Sequence, residues 1–268
     1  MRQRRFAVET VLAMGLLLGA GAVGAQQKPQ PQAASQRKVD PDAERVLRAM
    51  TGYLTGLQTF TAQYDVDNEI ISTDGQKLQF SASGEFALQR PSKLRATRTG
   101  GYADAELFFD GQTVTLLARK KNAFKQLRGP TTIDQAIEAL RSELDVDLAG
   151  ADLFYADLHE GLLTDVSTGT HLGQGVVGGV LCDHLAFRAA KVDWQIWVQR
   201  GDKPLPLKYV ITSKWVSGAP QYTIRLHHWN TQPKLDPQHF VFRPPAGAKE
   251  LQDVATNELG ELTEEAKP

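Results

Sequence analysis

From residue 60 onward the chain alternates with a period of two. Phe60, Ala62, Tyr64 and Val66 interleave with Thr61, Gln63, Asp65 and Asp67. In an extended chain that spacing puts every apolar side chain on one face. Ser72-Thr73-Asp74-Gly75 reads as a turn, and the pattern then resumes. Leu78, Phe80, Ala82, Gly84, Phe86 and Leu88 face one way; Gln79, Ser81, Ser83, Glu85 and Gln89 face the other. Two such runs about a tight turn predict an antiparallel hairpin with one apolar face. Residues 93–99, 106–109, 112–118 and 123–127 continue the meander, with Asp110-Gly111 and Lys120-Lys121-Asn122 as turns. A second set of strands is expected at 170–176, 179–188, 192–199, 207–215, 222–229 and 240–242.

Helical spacing appears in two places. Asp40-Pro41 is a helix start, an acidic N-cap followed by proline at the first helical position. Ala43, Val46, Leu47, Met50, Tyr53, Leu54 and Leu57 then form one apolar stripe. Midway, Thr131 or Thr132 caps a segment carrying Ile133, Ala136, Ile137, Leu140 and Leu144. A second segment, 151–163, carries Leu153, Phe154, Leu158, Leu162 and Leu163. The expected fold is mainly β (α+β). It is a single curved antiparallel sheet of about ten strands, a half-open barrel, covered by an N-terminal amphipathic helix and a short helical insert. A sheet that large must curl, and its concave apolar face needs a cover. Alternation alone leaves open whether the concave side holds a ligand cavity or a filled core. The candidates for a cavity wall are Phe60, Tyr64, Phe80, Phe86, Leu88, Trp194 and Tyr209. Trp194 and Trp197 fall on opposite faces of one strand, so one of them can line a cavity.

The ends change the picture of where this fold operates. Arg2, Arg4 and Arg5 precede an uncharged apolar stretch from 11 to 23, and Val23-Gly24-Ala25 precedes Gln26. This reads as a signal peptide over 1–25, cleaved after Ala25, with export to the periplasm. The stretch is short for a bilayer span, and no second one follows, so no transmembrane segment is expected in the mature chain. Residues 26–38 are rich in Gln, Pro and Ala and read as a disordered linker; 253–268 read as a flexible acidic tail. One domain, 39–252, remains. The net charge of −1 carries no basic stripe of the kind nucleic acid requires. Cys182 is the only cysteine, which excludes an internal disulfide and a cysteine-rich zinc site.

Candidate chemistry is sparse. Cys182 and His184 lie two apart on a strand and so share a face. They are either an activated nucleophile and its base, half of a metal site, or a small buried thiol beside a hydrogen-bonded imidazole. No strand-turn-helix context surrounds them, which favours the structural reading. His227 and His228 alternate across a strand, and His159-Glu160 lacks a second histidine at helical spacing. Neither a phosphate loop nor a nucleophile elbow is present, so no enzyme, no cofactor and no metal are expected. Arg90, before Pro91 at a strand end, is either an exposed charge or a contact to the helical cover.

Three motifs carry a resemblance. Gly84-Glu85-Phe86-Ala87-Leu88-Gln89-Arg90-Pro91, Leu107-Phe108-Phe109-Asp110-Gly111 and Phe240-Val241-Phe242-Arg243-Pro244-Pro245-Ala246-Gly247 resemble strand ends of the outer-membrane lipoprotein carriers. The resemblance implies a lid held by Arg90 over a greasy cavity that shields a lipid. Ala151-Asp152-Leu153-Phe154-Tyr155, Gly178 to Phe187 and Asp193-Trp194-Gln195-Ile196-Trp197 are similar to the predicted periplasmic proteins of domain of unknown function 2092. That family implies the carrier fold and the periplasm, and no catalytic residue. The Cys-x-His element and the long second half depart from the lipoprotein carriers, so lipoprotein acyl chains as cargo do not follow. The expected function is a periplasmic monomer that binds a lipid or hydrophobic small molecule. The alternatives are a periplasmic protein-interaction module with a filled core, or a Cys/His hydrolase.

Overall fold

The computed structural model describes residues 37–144, 146, 148, 150–252, 254–256 and 262–264. The signal peptide, its cleavage site and the linker up to residue 36 lie outside the described residues. The first element is β1 (Lys38–Val39), followed by helix α1 (Pro41–Gly56). The Asp40 carboxylate accepts the Asp42 amide at 2.8 Å, and Pro41 fills the first helical position. One meander follows: β2 (Thr59–Ile71), β3 (Lys77–Gln89), β4 (Lys93–Gly100), β5 (Asp104–Phe109), β6 (Thr113–Ala118) and β7 (Ala123–Arg128). The helical insert is α2 (Ile133–Leu144), a 3-10 turn at Ala151–Phe154 and α3 (Leu158–Leu163). A second meander holds β8 (Val166–Val177), β9 (Val180–Ala189), β10 (Val192–Gln199), β11 (Pro206–Ser213) and β12 (Gln221–Asn230).

The two meanders join through the antiparallel pair β12–β2. The result is one sheet of 13 strands running β1-β8-β9-β10-β11-β12-β2-β3-β4-β5-β6-β7-β13, where β13 is Lys249–Glu250. In that order β7 and β8 stand near opposite edges. The insert that links them must therefore cross the sheet, and it crosses the apolar face. Ile133, Ala136, Ile137, Leu140 and Leu144, the stripe legible in the sequence, are all buried. On the other half α1 packs against β8, β10 and α3. His159 of α3 bonds Glu44 at 3.1 Å and Thr51 at 3.2 Å, both on α1. One core runs under both covers, from Leu47 and Met50 through Phe60, Leu94 and Leu116 to Trp194 and Ile196.

Two expectations about the strands need correction. The first concerns strands with one buried face. In β5 to β7, Phe108, Leu117 and Phe124 are buried on the side opposite the main core. They are covered by the chain after β12, where Phe242 packs on Phe108 at 5.4 Å and on Phe124 at 4.9 Å. The second concerns residues 240–242, which are not a strand. Asp236 accepts the Gln238 amide at 2.9 Å, Pro237 follows it, and the chain turns through a 3-10 helix at Pro237–Phe240. An Asp-Pro pair starts helices for the same reason here as at residue 40. Further on, β14 (Val254–Thr256) pairs antiparallel with β15 (Leu262–Glu264).

Phe240 is fully buried beneath this crossing segment, with Lys93 Nζ 5.9 Å from its ring. Phe240→Ala should destabilise the protein by about 3–5 kcal/mol, the usual cost of emptying a phenylalanine site. The midpoint of guanidinium unfolding measures it.

Candidate functional site

Between the insert and the concave face lies a cavity of about 150 Å³. The sheet supplies Tyr64, Phe86, Leu94, Ala96, Leu107 and Leu116 on one side and Ile224, Leu226 and Trp229 on the other. Ile137, Val146, Leu148, Leu153 and Phe154 of the insert close it from above. Its aromatic end is tightly packed: Phe86 meets Phe154 edge-on at 4.8 Å and Trp229 at 5.8 Å. A mainly apolar void of this size has room for a benzene-sized group. A longer hydrocarbon needs the insert to shift or extends to the mouth. A second hollow, about 200 Å³, lies on the opposite face and is lined by Gln63, Glu85, Arg95, His228 and His239. It is the roomier of the two but polar, and its walls are bonded to one another, so the apolar cavity is the candidate site.

The residues expected at the wall divide. Tyr64 and Phe86 line the cavity. Phe60 and Leu88 are buried in the packed core. Trp194 stacks on Phe187 at 4.0 Å and meets Tyr209 edge-on at 5.8 Å, within the core under β9 to β11. Phe80 packs edge-on against Tyr102 at 4.7 Å, at the far end of the hairpin. These five share the concave parity, but Phe60, Leu88, Trp194 and Tyr209 are packed into the core, and Phe80 lies outside it. Parity names a face, and only the cover decides which part of that face is hollow. Trp197 lies on the other face, stacked on His184 at 3.9 Å with Lys208 Nζ 4.5 Å from its ring.

Tyr64 explains the glycine that opens the first motif. Its hydroxyl donates to the Thr97 carbonyl at 2.7 Å, reaching from β2 across β3 to β4. The residue beneath is Gly84, register partner of both Tyr64 and Arg98. A Cβ on Gly84 would stand 2.0 Å from the Thr97 oxygen and 2.6 Å from Tyr64 Cζ. Burial pushes the Tyr64 hydroxyl up to about 12, against the opposing charge of Arg98, so it remains a neutral donor.

Arg90 reaches the cover. Its Nη1 donates to the Phe154 carbonyl at 2.9 Å, and the Ile133 amide donates to the Pro91 carbonyl at 2.9 Å. The end of β3 and the turn after it thus hold both the start of α2 and the 3-10 turn. Burial lowers the guanidinium from its usual range while Asp134 raises it.

The Cys182–His184 pair is not assembled for chemistry. The thiol donates to the Val180 carbonyl at 3.4 Å, and burial pushes its pKa up. His184 is bonded to Gln195 at 3.0 Å, and burial pushes its pKa down. Both shifts oppose a thiolate–imidazolium pair. His227 and His228 do not alternate as expected. The pairing slips between His227 and Asn230, with His228 at φ 50°, and the two Nδ1 atoms stand 3.0 Å apart. Both rings bond outer-face residues, His228 to Gln63 and His227 to Asp65. A bulge inserts one residue and undoes the period of two. Among the described residues no group of three His, Cys, Asp or Glu side chains suits a metal ion.

Sequence reasoning missed Arg98 and Trp229, which also line the cavity. Arg98 was findable, because it has the parity of Leu94 and Ala96, whereas Arg95 has the parity of the polar face. Gly84→Ala should force Tyr64 off its bond to Thr97 and cost about 1–3 kcal/mol, as overpacking does. Unfolding midpoints of Gly84→Ala and of Gly84→Ala with Tyr64→Leu separate the clash with the ring from the clash with the backbone.

The fold is similar to LprF from Mycobacterium bovis, at 13% identity and a TM-score of 0.48, over 74% of this chain and 98% of that one. It is similar to the lipoprotein LppX from Mycobacterium tuberculosis, at 14% identity and a TM-score of 0.44, over 74% of this chain and 100% of that one. A LolA superfamily protein from Nitrosomonas europaea matches at 8% identity and a TM-score of 0.39, over 75% and 97%. Curated proteins give no match. No helix among the described residues is long and apolar enough to cross a membrane. Residues 43–252 match the model of the predicted periplasmic proteins of domain of unknown function 2092, and the chain belongs to that family.

Proposed function

We propose that the chain is a periplasmic carrier or chaperone that holds a lipid or other hydrophobic ligand between its curved sheet and its helical insert. The observation that carries this reading is the cavity itself, walled by Phe86, Leu94, Leu107, Leu116 and Ile224 and roofed by the insert. Binding is driven by apolar burial, roughly 25 cal/mol per Å² removed from water. The raised thiol and lowered imidazole at Cys182 and His184 argue for binding rather than bond cleavage.

A second reading, a periplasmic protein-interaction module, is favoured by the exposed apolar residues Leu172, Val176, Val180 and Leu181 on the β8–β9 hairpin. One variant separates the two. Ala105, on the cavity wall, becomes Phe in Ala105→Phe and fills the void. Wild-type protein purified from the periplasm should carry extractable lipid in native mass spectra, and Ala105→Phe should carry little while unfolding at a similar temperature. Equal loading of both proteins, or none in either, would rule against the cavity.

The hydrogen bond from Arg90 to the insert acts as a latch in this reading. Its loss in Arg90→Leu removes about 1 kcal/mol of local stability. Amide exchange across residues 132–163 should then quicken roughly fivefold while α1 is unchanged. An exchange profile identical to wild type would mean that the insert is held by packing alone.

A further inference from the structure

The cavity wall contains one feature that an apolar ligand does not explain. Arg98 stands on the concave face of β4, in line with Leu94 and Ala96, and lines the cavity with its neighbours. Its Nε is buried without a hydrogen-bond partner among the described residues. The indole Nε1 of Trp229, on the same cavity, is also buried and unpartnered. Arginines on the outer face behave differently. Arg95 donates to Glu106 at 2.8 Å, Arg225 donates to Asp67 at 2.8 Å, and Arg119 pairs with Asp104 and Glu106. No carboxylate among the described residues lies within ion-pair distance of Arg98.

A buried guanidinium N–H left without an acceptor is costly unless something completes it. A guanidinium offers a planar fork of donors that matches a carboxylate or a phosphate, and a neutral hydroxyl or ester satisfies only part of it. The position of Arg98 fits a head rather than a tail. It lies two residues before the end of β4, level with Gly84 and Ala105 in the sheet. Phe86, Leu94, Leu107 and Leu116 continue the wall away from it. An amphiphile lying along this wall places its charge beside Arg98, toward the end of β4, and its hydrocarbon under the insert.

We propose that the ligand is an anionic amphiphile, a single carboxylate or phosphate on a hydrocarbon chain, whose head is held by Arg98 with the Trp229 N–H as an additional donor along the wall. This inference rests on the cavity reading above and names the class of molecule that enters it.

The test uses the full-length mature protein, stripped of lipid, with the neutral probe N-phenylnaphthylamine in the cavity. Dodecanoate, dodecyl phosphate and dodecanol are titrated as competitors, below their aggregation limits. Wild type should prefer the two anions to the alcohol by about ten- to a hundredfold, the range of one charge-assisted contact. Arg98→Met, which keeps the apolar stem, should bring that ratio near one. Arg98→Lys should retain part of the preference, and it stands in if the methionine variant misfolds. Inorganic phosphate should not displace the probe; displacement would mark a free-anion site and overturn the amphiphile. Equal binding of the three competitors by wild type would overturn the head-group assignment and leave the cavity reading intact. A probe that does not bind at all would overturn the cavity reading, and the head group with it.

Discussion

The chain leaves the sheet near one edge, at β7, and must re-enter near the other, at β8. Much else in the molecule depends on that constraint. A short connection cannot join those edges, so some 40 residues of insert span the curve between Arg128 and Val166. The insert carries an apolar stripe and the concave face is apolar, so the crossing is made on the inside. Curvature without the crossing would leave a greasy trough open to water. The crossing without curvature would press flat onto the sheet and leave no room. The cavity is what remains where helices of limited width bridge a strongly curled surface.

The sheet was legible because burial on one face writes itself into the sequence at period two. Its strands from β2 through β12 were found within a few residues, as were both apolar helical stripes. What was hidden had local causes. A bulge at His228 moved a residue to the opposite face without altering composition. Phe108, Leu117 and Phe124 look like ordinary strand residues until the segment carrying Phe242 is known to fold back over them. The hollow was the least legible part. Phe60, Phe86 and Trp194 have equal claims in the sequence, and only the placement of α1 and the insert decides that Phe86 faces space while the others face helix. Arg98 announced itself by parity, yet a single arginine in a run with Arg95 reads as surface charge unless each side chain is assigned to its face.

A cavity and a buried guanidinium N–H without an acceptor are both destabilising in a protein that does nothing with them. Here they adjoin, with the unpartnered Trp229 indole on the same cavity, and the other buried side-chain donors without a partner among the described residues, Nε and Nη2 of Arg90, sit at the anchor of the same insert. Arginines of the outer face pair with carboxylates, α1 and α2 start on side-chain caps, and Tyr64 finds a carbonyl across two strands. Local violations in an otherwise consistent molecule are where function concentrates. The coincidence of two of them on one wall is stronger evidence than either alone, because a packing defect has no reason to sit beside a charge that lacks a partner.

The cover itself is held unevenly. The start of α2 and the 3-10 turn are tied to the end of β3 and the turn that follows, by Pro91 and Arg90. Across the sheet, α3 is tied to α1 through His159. Between those anchors lie Val146, Leu148, Gly150 and Ala151, which form part of the cavity roof. The backbone bonds of that stretch are local: Val146 donates to Leu140, Ala151 to Leu148 and Leu153 to Gly150. Its contact with the sheet is apolar, as where Gly150 faces the Ile224 side chain. Apolar contacts have no preferred direction, and a ligand's hydrocarbon replaces them one for one. A ligand entering under the middle of the roof therefore displaces contacts that it can itself restore, while the directional bonds at both ends keep the insert in register over the sheet.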